Sequence, residues 1–222
     1  GNCGVGFAPV RKPDIPYLIN LMEGVEDIPG SVLAEGVSFQ WESFPEYLDV
    51  LDRSPKAIDI GAQVPHAPLR FYVMGERGAD HNTLPTDQEI DEMGRLLEEA
   101  LRAGALGFTT SRTTKHLSKD GKNTPSLSAK DPELRGLALA MKRANRGIIE
   151  VNSDFGDGEF EIMRMASEVS GRPLSILLLQ VNNSPDLWRK TRDQIYEARR
   201  EGIEVNGQVG CRPIVVIMGF ET

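Results

Sequence analysis

Apolar residues in this chain alternate between a helical and an extended spacing, with glycines at most of the joints. Ile90, Met93, Leu96, Leu97, Ala100 and Leu101 recur at intervals of one, three and four, which predicts an amphipathic helix. Thr86 stands three residues before Glu89, the spacing of a capping box, and Gly104 suits the position just past the helix end. The run Ala105–Thr110 follows at once and predicts a strand. Asp131 and Pro132 open a second helix with Leu134, Leu137, Ala138 and Met141 as its buried stripe. Gly147 and the strand candidate Ile148–Val151 close that unit. A third helix runs from about Asp157 to Ser170, stops at Gly171, and leads into Pro173–Leu179. A fourth opens at Ser184 and Pro185, carries Leu187, Trp188, Ile195 and Ala198, and ends at Gly202. Ile203–Val205 and Ile214–Ile217 come next. Upstream, Ser43 and Glu46 form another capping box ahead of Phe44, Tyr47, Leu48 and Leu51. Strand candidates flank this helix at Val5–Ala8, Ile58–Val64 and Phe71–Met74.

Strands alternating with helices imply an α/β fold with a parallel sheet and outer helices, and near-continuous apolar runs fit strands buried on both faces. Either an open doubly wound sheet or part of an eight-fold barrel satisfies this rhythm. Two long polar stretches, 11–40 and 113–130, each follow a predicted strand. Loops of that length at strand ends are where parallel α/β enzymes build their sites.

The composition narrows the function without naming it. Of 222 residues, 25 are basic and 33 acidic, a formal charge of −8, which argues against a nucleic-acid partner held through phosphates. No apolar run approaches the ~18 residues of a membrane span, so no membrane partner is expected. Cys3 and Cys211 are too few for a disulfide scaffold, and a reduced, cytoplasmic protein is expected. The chain opens without an initiator Met and closes beside a strand-like run, which reads as a domain cut at both ends.

Candidate chemistry is scattered. Cys3 lies in a glycine-flanked turn, where it is either a zinc ligand or an inert buried thiol. Cys211, in a turn before Arg212 and Pro213, reads as structural. His66, at a strand end, suits a ligand, a base or a hydrogen-bonded filler. His81 and His116 lie on polar loops and are expected to be exposed. The run from Thr109 to His116 is rich in donors suited to a carboxylate or phosphate. Gly75–Asp80 is a charged loop without the glycine spacing of a phosphate cradle, and no Gly-x-Ser-x-Gly elbow occurs.

Five motifs taken together go further. Gly1–Pro9 (GNCGVGFAP), Leu21–Gly30, Trp41–Leu48, His66–Asp80 and Ala103–Thr113 resemble, in order, segments of the D-aminoacylase and N-acyl-D-amino-acid deacylase branch of the amidohydrolase superfamily. The resemblance implies a TIM-type (β/α)8 barrel, with residues 1–222 forming one incomplete domain covering about strands two to seven. It implies a metal-dependent hydrolase that cleaves a linear amide of a small N-acylated substrate, with Cys3 as a zinc ligand and metal-activated water as nucleophile. The family's strand-one histidine pair and strand-eight general-base aspartate would lie outside this chain. Its strand-five and strand-six histidines are replaced: Val151-Asn152-Ser153-Asp154 and Leu179-Gln180-Val181-Asn182 stand there, and no histidine follows His116. A non-hydrolytic homologue with a degenerate metal site, binding a carboxylate-bearing ligand, is the alternative. The rim is expected to gather Cys3, His66, Glu76, Arg77, Arg112 and Gln180, with Arg112, Thr110 and Ser111 holding a substrate carboxylate.

Overall fold

The structure, a computed structural model, describes residues 3–210; Cys211 and the expected strand Ile214–Ile217 lie outside them. Along the chain run α1 (Ile15–Glu26), α2 (Gly30–Gly36), α3 (Phe44–Arg53), β1 (Val64–Pro65) and α4 (His66–Met74). A short 3-10 turn, Gly75–Ala79, follows. Then come α5 (Asp87–Ala103), β2 (Gly107–Arg112), α6 (Asp131–Ala144), β3 (Ile148–Ser153), α7 (Glu159–Ser170), β4 (Leu174–Leu177), α8 (Leu187–Arg200) and β5 (Val205–Gln208).

Both predicted capping boxes form. Ser43 Oγ and Thr86 Oγ1 accept from the backbone N–H groups of Glu46 and Glu89, and each glutamate accepts in return from the cap backbone. Gly104 and Gly171 end α5 and α7 with positive φ, as expected, but α6 ends at Asn145, another residue that tolerates the left-handed region.

The described strands make one parallel sheet in the order β1-β2-β3-β4-β5, which is also their order in the chain. Phe108 pairs with Val64 and Ile149, and Leu174 pairs with Ile149 and Val205. A doubly wound sheet reverses its strand order at a switch point; this one never does. The helices follow suit, with α4 through α8 each packed on the next. Strands and helices that advance together in one direction form a sector of a barrel wall, with the main apolar core between the two layers. Ile90, Met93, Leu97, Leu101, Leu134, Leu137 and Met141 meet Phe108, Ile149, Leu174, Ile176 and Val205 there.

Four expectations need correction. Phe71–Met74 is the last turn of α4; that helix is buried on most sides, and a short apolar run looks alike in a buried helix and a strand. Of Ile58–Val64 only Val64 enters the sheet, while Ile58 and Ile60 are 75% and 51% exposed. Val5–Ala8 forms no ladder, although this segment is tied in: the Ala67 N–H donates to Gly4 O and the Val10 N–H to Glu42 O. The stretch 11–40 holds α1 and α2, not a loop. Pro16 sits in the first turn of α1, where its missing N–H is harmless, and Leu18, Leu21 and Leu33 supply the buried side.

Candidate active site at the carboxyl ends of the strands

Side chains alternate across a strand, so the core residues identify the faces. Phe108, Ile149, Val151, Leu174, Ile176 and Val205 point to the helices. Thr109, Ser111, Glu150, Asn152, Ser175, Leu177, Asn206 and Gln208 therefore line the opposite, inner face, which is polar apart from Leu177. A barrel sector with an apolar outer side and a polar inner side is built to hold a polar ligand at its centre.

At the carboxyl end of this face stands His116, from the loop after β2. Its Nδ1 lies 2.8 Å from Ser111 Oγ, and its Nε2 lies 3.2 Å from Asn152 Nδ2. The Asn152 amide donates to Nε2, which leaves the ring proton on Nδ1, donated to Ser111 Oγ. Burial pushes the His116 pKa below the usual imidazole value, although the carboxylates of Glu26 and Asp154 push it up. A neutral ring with its tautomer set by two neighbours results. Ser126 Oγ donates to the Ser111 carbonyl at 2.8 Å, pinning the far end of the same loop to β2.

Asp154, just past β3, accepts from Thr113 Oγ1 and from the Thr114 N–H and hydroxyl at 2.7–2.9 Å. Burial opposes its charge, but these bonds hold its carboxyl below the usual range. Cys3 Sγ donates to Glu26 Oε1 at 3.5 Å. Burial, joined by the Glu26 charge, pushes the Cys3 thiol up. Gly4 (φ +70°) makes the turn that places Cys3; a Cβ at Gly4 would strike the backbone of Thr110 and Ser111.

The predicted site residues divide. Cys3 and Ser111 lie on the inner rim. Gln180 is exposed in the segment after β4. His66 and Thr110 are fully buried on the helix side of the sheet: His66 Nδ1 accepts from Thr110 Oγ1 at 2.9 Å, and Nε2–H donates to Glu133 Oε1 at 3.0 Å. Arg70 Nη1 lies 3.6 Å from Glu133 Oε2 and donates to Pro125 O at 2.9 Å. This is a buried charge network between sheet and helices, not a substrate contact. Arg112 also points outward. Its Nε and Nη2 grip both oxygens of Glu159 at 2.7 and 2.8 Å, and Nη1 donates to Ala129 O at 2.7 Å. The fork expected to hold a substrate carboxylate instead joins β2 to α7, because Arg112 follows Phe108 and Thr110 in the strand alternation. Glu76 and Arg77 follow a helix and not a strand, so they sit away from the rim, where Arg77 pairs with Glu89 at 2.6 Å.

Two rim residues were hidden. Glu26 belongs to a helix in a stretch read as loop, and His116 looked like one more exposed loop histidine, whereas Asn152 stood where the resemblance puts the strand-five histidine. The one available signal was the donor-rich run ending at His116.

No family model matches the chain. It is 36% identical over 110 residues to D-aminoacylase of Alcaligenes xylosoxydans xylosoxydans, covering 50% of this chain and 20% of the relative. The chain is a homologue of D-aminoacylase over half its length. The N-acyl-D-aspartate deacylase of the same organism is 34% identical over 110 residues, 50% of this chain and 19% of that one. The chain thus spans about a fifth of these D-aminoacylase relatives. The crystal structure of N-acyl-D-glutamate deacylase from Bordetella bronchiseptica, complexed with zinc and a phosphonate inhibitor, superposes with a TM-score of 0.67 at 26% identity. That match covers 93% of this chain and 40% of that one. The α/β sector therefore shares its fold with part of that deacylase.

Zinc does not fit the described residues by themselves. Among them no three His, Cys, Asp or Glu side chains are placed to hold a metal. The Cys3–Glu26 pair offers two donors, fewer than the three or four protein ligands a zinc site needs. Among the described residues no helix is long and apolar enough to cross a membrane.

Proposed function

We propose that this protein hydrolyses the amide bond of an N-acyl-D-amino acid or a related small N-acyl compound. The observation that carries this reading is the shared stretch of 110 residues with D-aminoacylase. The polar rim supports it. Neutral Ser111, His116 and Asn152 offer donors and acceptors matched to an uncharged amide, and Asp154, paired with Lys115 at 3.6 Å, keeps a negative charge at the same rim. We read residues 1–222 as one sector of the barrel domain, since the main core cluster runs from Ala8 to Val205. We further propose a cytoplasmic setting, where an unpaired thiol such as Cys3 stays reduced, and no nucleic-acid or membrane partner, in keeping with the charge of −8.

The test is release of free amino acid from N-acetyl-D- and N-acetyl-L-amino acids by the full-length protein. D-selective release is expected. No release from any N-acyl-D-amino acid, with the protein folded, would overturn the reading.

A further inference from the structure

Asn152 sits near the end of β3 and pairs with Ser111 in the ladder to β2. It is half-buried in the wall of a cavity that Ser153 and Asp154 also line. One end of its side chain is engaged, since the amide nitrogen donates to His116 Nε2 at 3.2 Å. The His116 ring is fixed in turn, because Nδ1–H donates to Ser111 Oγ at 2.8 Å. An imidazole protonated on Nδ1 presents only a lone pair at Nε2. That lone pair attracts the NH2 of Asn152 and repels its carbonyl. The ring therefore decides which way round the Asn152 amide stands, and Oδ1 is left without a donor among the described residues. At the place where the resemblance puts a strand-five histidine, this chain holds a neutral amide, and the imidazole comes from the loop after β2.

The other side-chain acceptors beside His116 are charged. Asp154 takes three donors at 2.7–2.9 Å and faces Lys115 Nζ at 3.6 Å, and Glu26 takes the Cys3 thiol at 3.5 Å. An N-acyl amino acid carries its amide N–H one carbon away from its carboxylate. A charged acceptor on that N–H would bring two negative groups together, whereas a neutral carbonyl oxygen would not.

We propose that Asn152 is a specificity-determining residue whose Oδ1 accepts the amide N–H of the substrate, and that His116 is the positioning residue that turns it there. The inference rests on the deacylase reading and deepens it, by naming the contact that separates an N-acyl amide from the matching O-acyl ester. The ester has an oxygen in place of N–H, so Oδ1 would face a second acceptor with no proton between them. A fixed polar partner rejects an analogue that lacks the matching group far more strongly than an apolar pocket rejects a missing methylene.

The test compares N-acetyl-D-alanine, O-acetyl-D-lactate and N-acetyl-N-methyl-D-alanine on the full-length protein. It reads kcat/KM for each compound that is hydrolysed and a calorimetric Kd for each that is not. The quantity of interest is the amide-to-ester ratio in a variant relative to the parent, in which the intrinsic reactivity of each compound cancels. Asn152→Leu keeps the size of the side chain and removes the acceptor, and should lower this ratio tenfold or more. Asn152→Ala serves the same purpose if the leucine variant does not fold. His116→Leu should lower the ratio similarly, whereas His116→Gln, whose Oε1 can accept from Asn152 Nδ2, should stay within about threefold of the parent. General loosening of the loop after β2 would weaken all three compounds alike and leave the ratio unmoved. The N-methyl compound, an amide without N–H, should be rejected as the ester is. An unchanged ratio in the Asn152 variants, acceptance of the N-methyl compound on a par with N-acetyl-D-alanine, or no binding of N-acetyl-D-alanine would overturn the inference. A His116→Gln ratio no better than that of His116→Leu would overturn the positioning role. Binding that depends on N–H and on Asn152, without hydrolysis, would overturn the deacylase reading and leave the contact standing.

Discussion

Replacing Glu133 by Gln removes a charge from the most deeply buried ionic cluster described. Glu133 and Arg70 are 2% and 1% exposed, and His66 is fully buried beside them. The substitution keeps an oxygen to accept from His66 Nε2–H, so what disappears is mainly the attraction between Glu133 and Arg70 at 3.6 Å. With an effective dielectric constant of about 20, that attraction is about 4–5 kcal/mol. Desolvation of the pair was already incurred on folding, so the loss leaves the Arg70 charge buried with only the Pro125 and Thr83 carbonyls as acceptors. Breaking a buried pair from one side typically costs about 3–5 kcal/mol, and the two figures agree. For a protein of this size that is a fall of roughly 6–20 °C in Tm. Urea and thermal unfolding of the purified protein measure it. Adding Arg70→Met removes the orphaned charge and should recover a substantial part of the loss. If Glu133→Gln stays within about 1 kcal/mol of the parent, or the two substitutions merely add, the network does not hold α4, α6 and the 124–126 segment together.

Other outcomes follow from the same geometry. Arg112→Lys loses the two-point grip on Glu159 and should destabilise by about 1.5–3 kcal/mol while leaving KM unchanged; a tenfold rise in KM at unchanged Tm would show that Arg112 binds substrate. Burial lowers the pKa values of His66 and His116, so the unfolded chain binds more protons than the folded one as pH falls below about 6.5. Their contribution is complete above that pH and declines on acidification, so Tm should drop from pH 7 to pH 5, less steeply in His66→Gln; a flat profile would contradict it. Gly4→Ala forces a side chain into the Thr110–Ser111 backbone at positive φ and should cost more than about 1 kcal/mol, with faster labelling of Cys3 by thiol reagents; labelling at the parental rate and unchanged Tm would refute that. Thr86→Ala removes one half of a capping box and should cost about 0.5–2 kcal/mol in urea unfolding.

Local chemistry made much of this architecture readable in one dimension. Capping boxes at Ser43 and Thr86, glycines after α5 and α7, and apolar stripes at helical spacing each depend on neighbours within one turn, so a linear pattern records them. The barrel was legible only as a resemblance; in the structure it is the unreversed strand order that shows it. Phe71–Met74 and Ile58–Val64 were misread because an apolar run carries no label for helix, strand or exposed edge. Burial decides that, and burial is set by what packs from elsewhere.

The site divides along the same line. The sequence by itself determined that Cys3, Ser111 and Asn152 fall at or near the ends of extended segments, and that no histidine stands after His116. It could not determine which way each side chain faces, because a shift of one residue along a strand moves a side chain from the inner face to the helices. Ser111 and Arg112 are adjacent in sequence, yet one meets His116 at the rim and the other is clamped to Glu159 behind the sheet. In sequence His66 looks the better site candidate and His116 an exposed loop residue. Tertiary packing sent the first into a buried charge network and brought the second, five residues beyond Ser111, back over the strand ends.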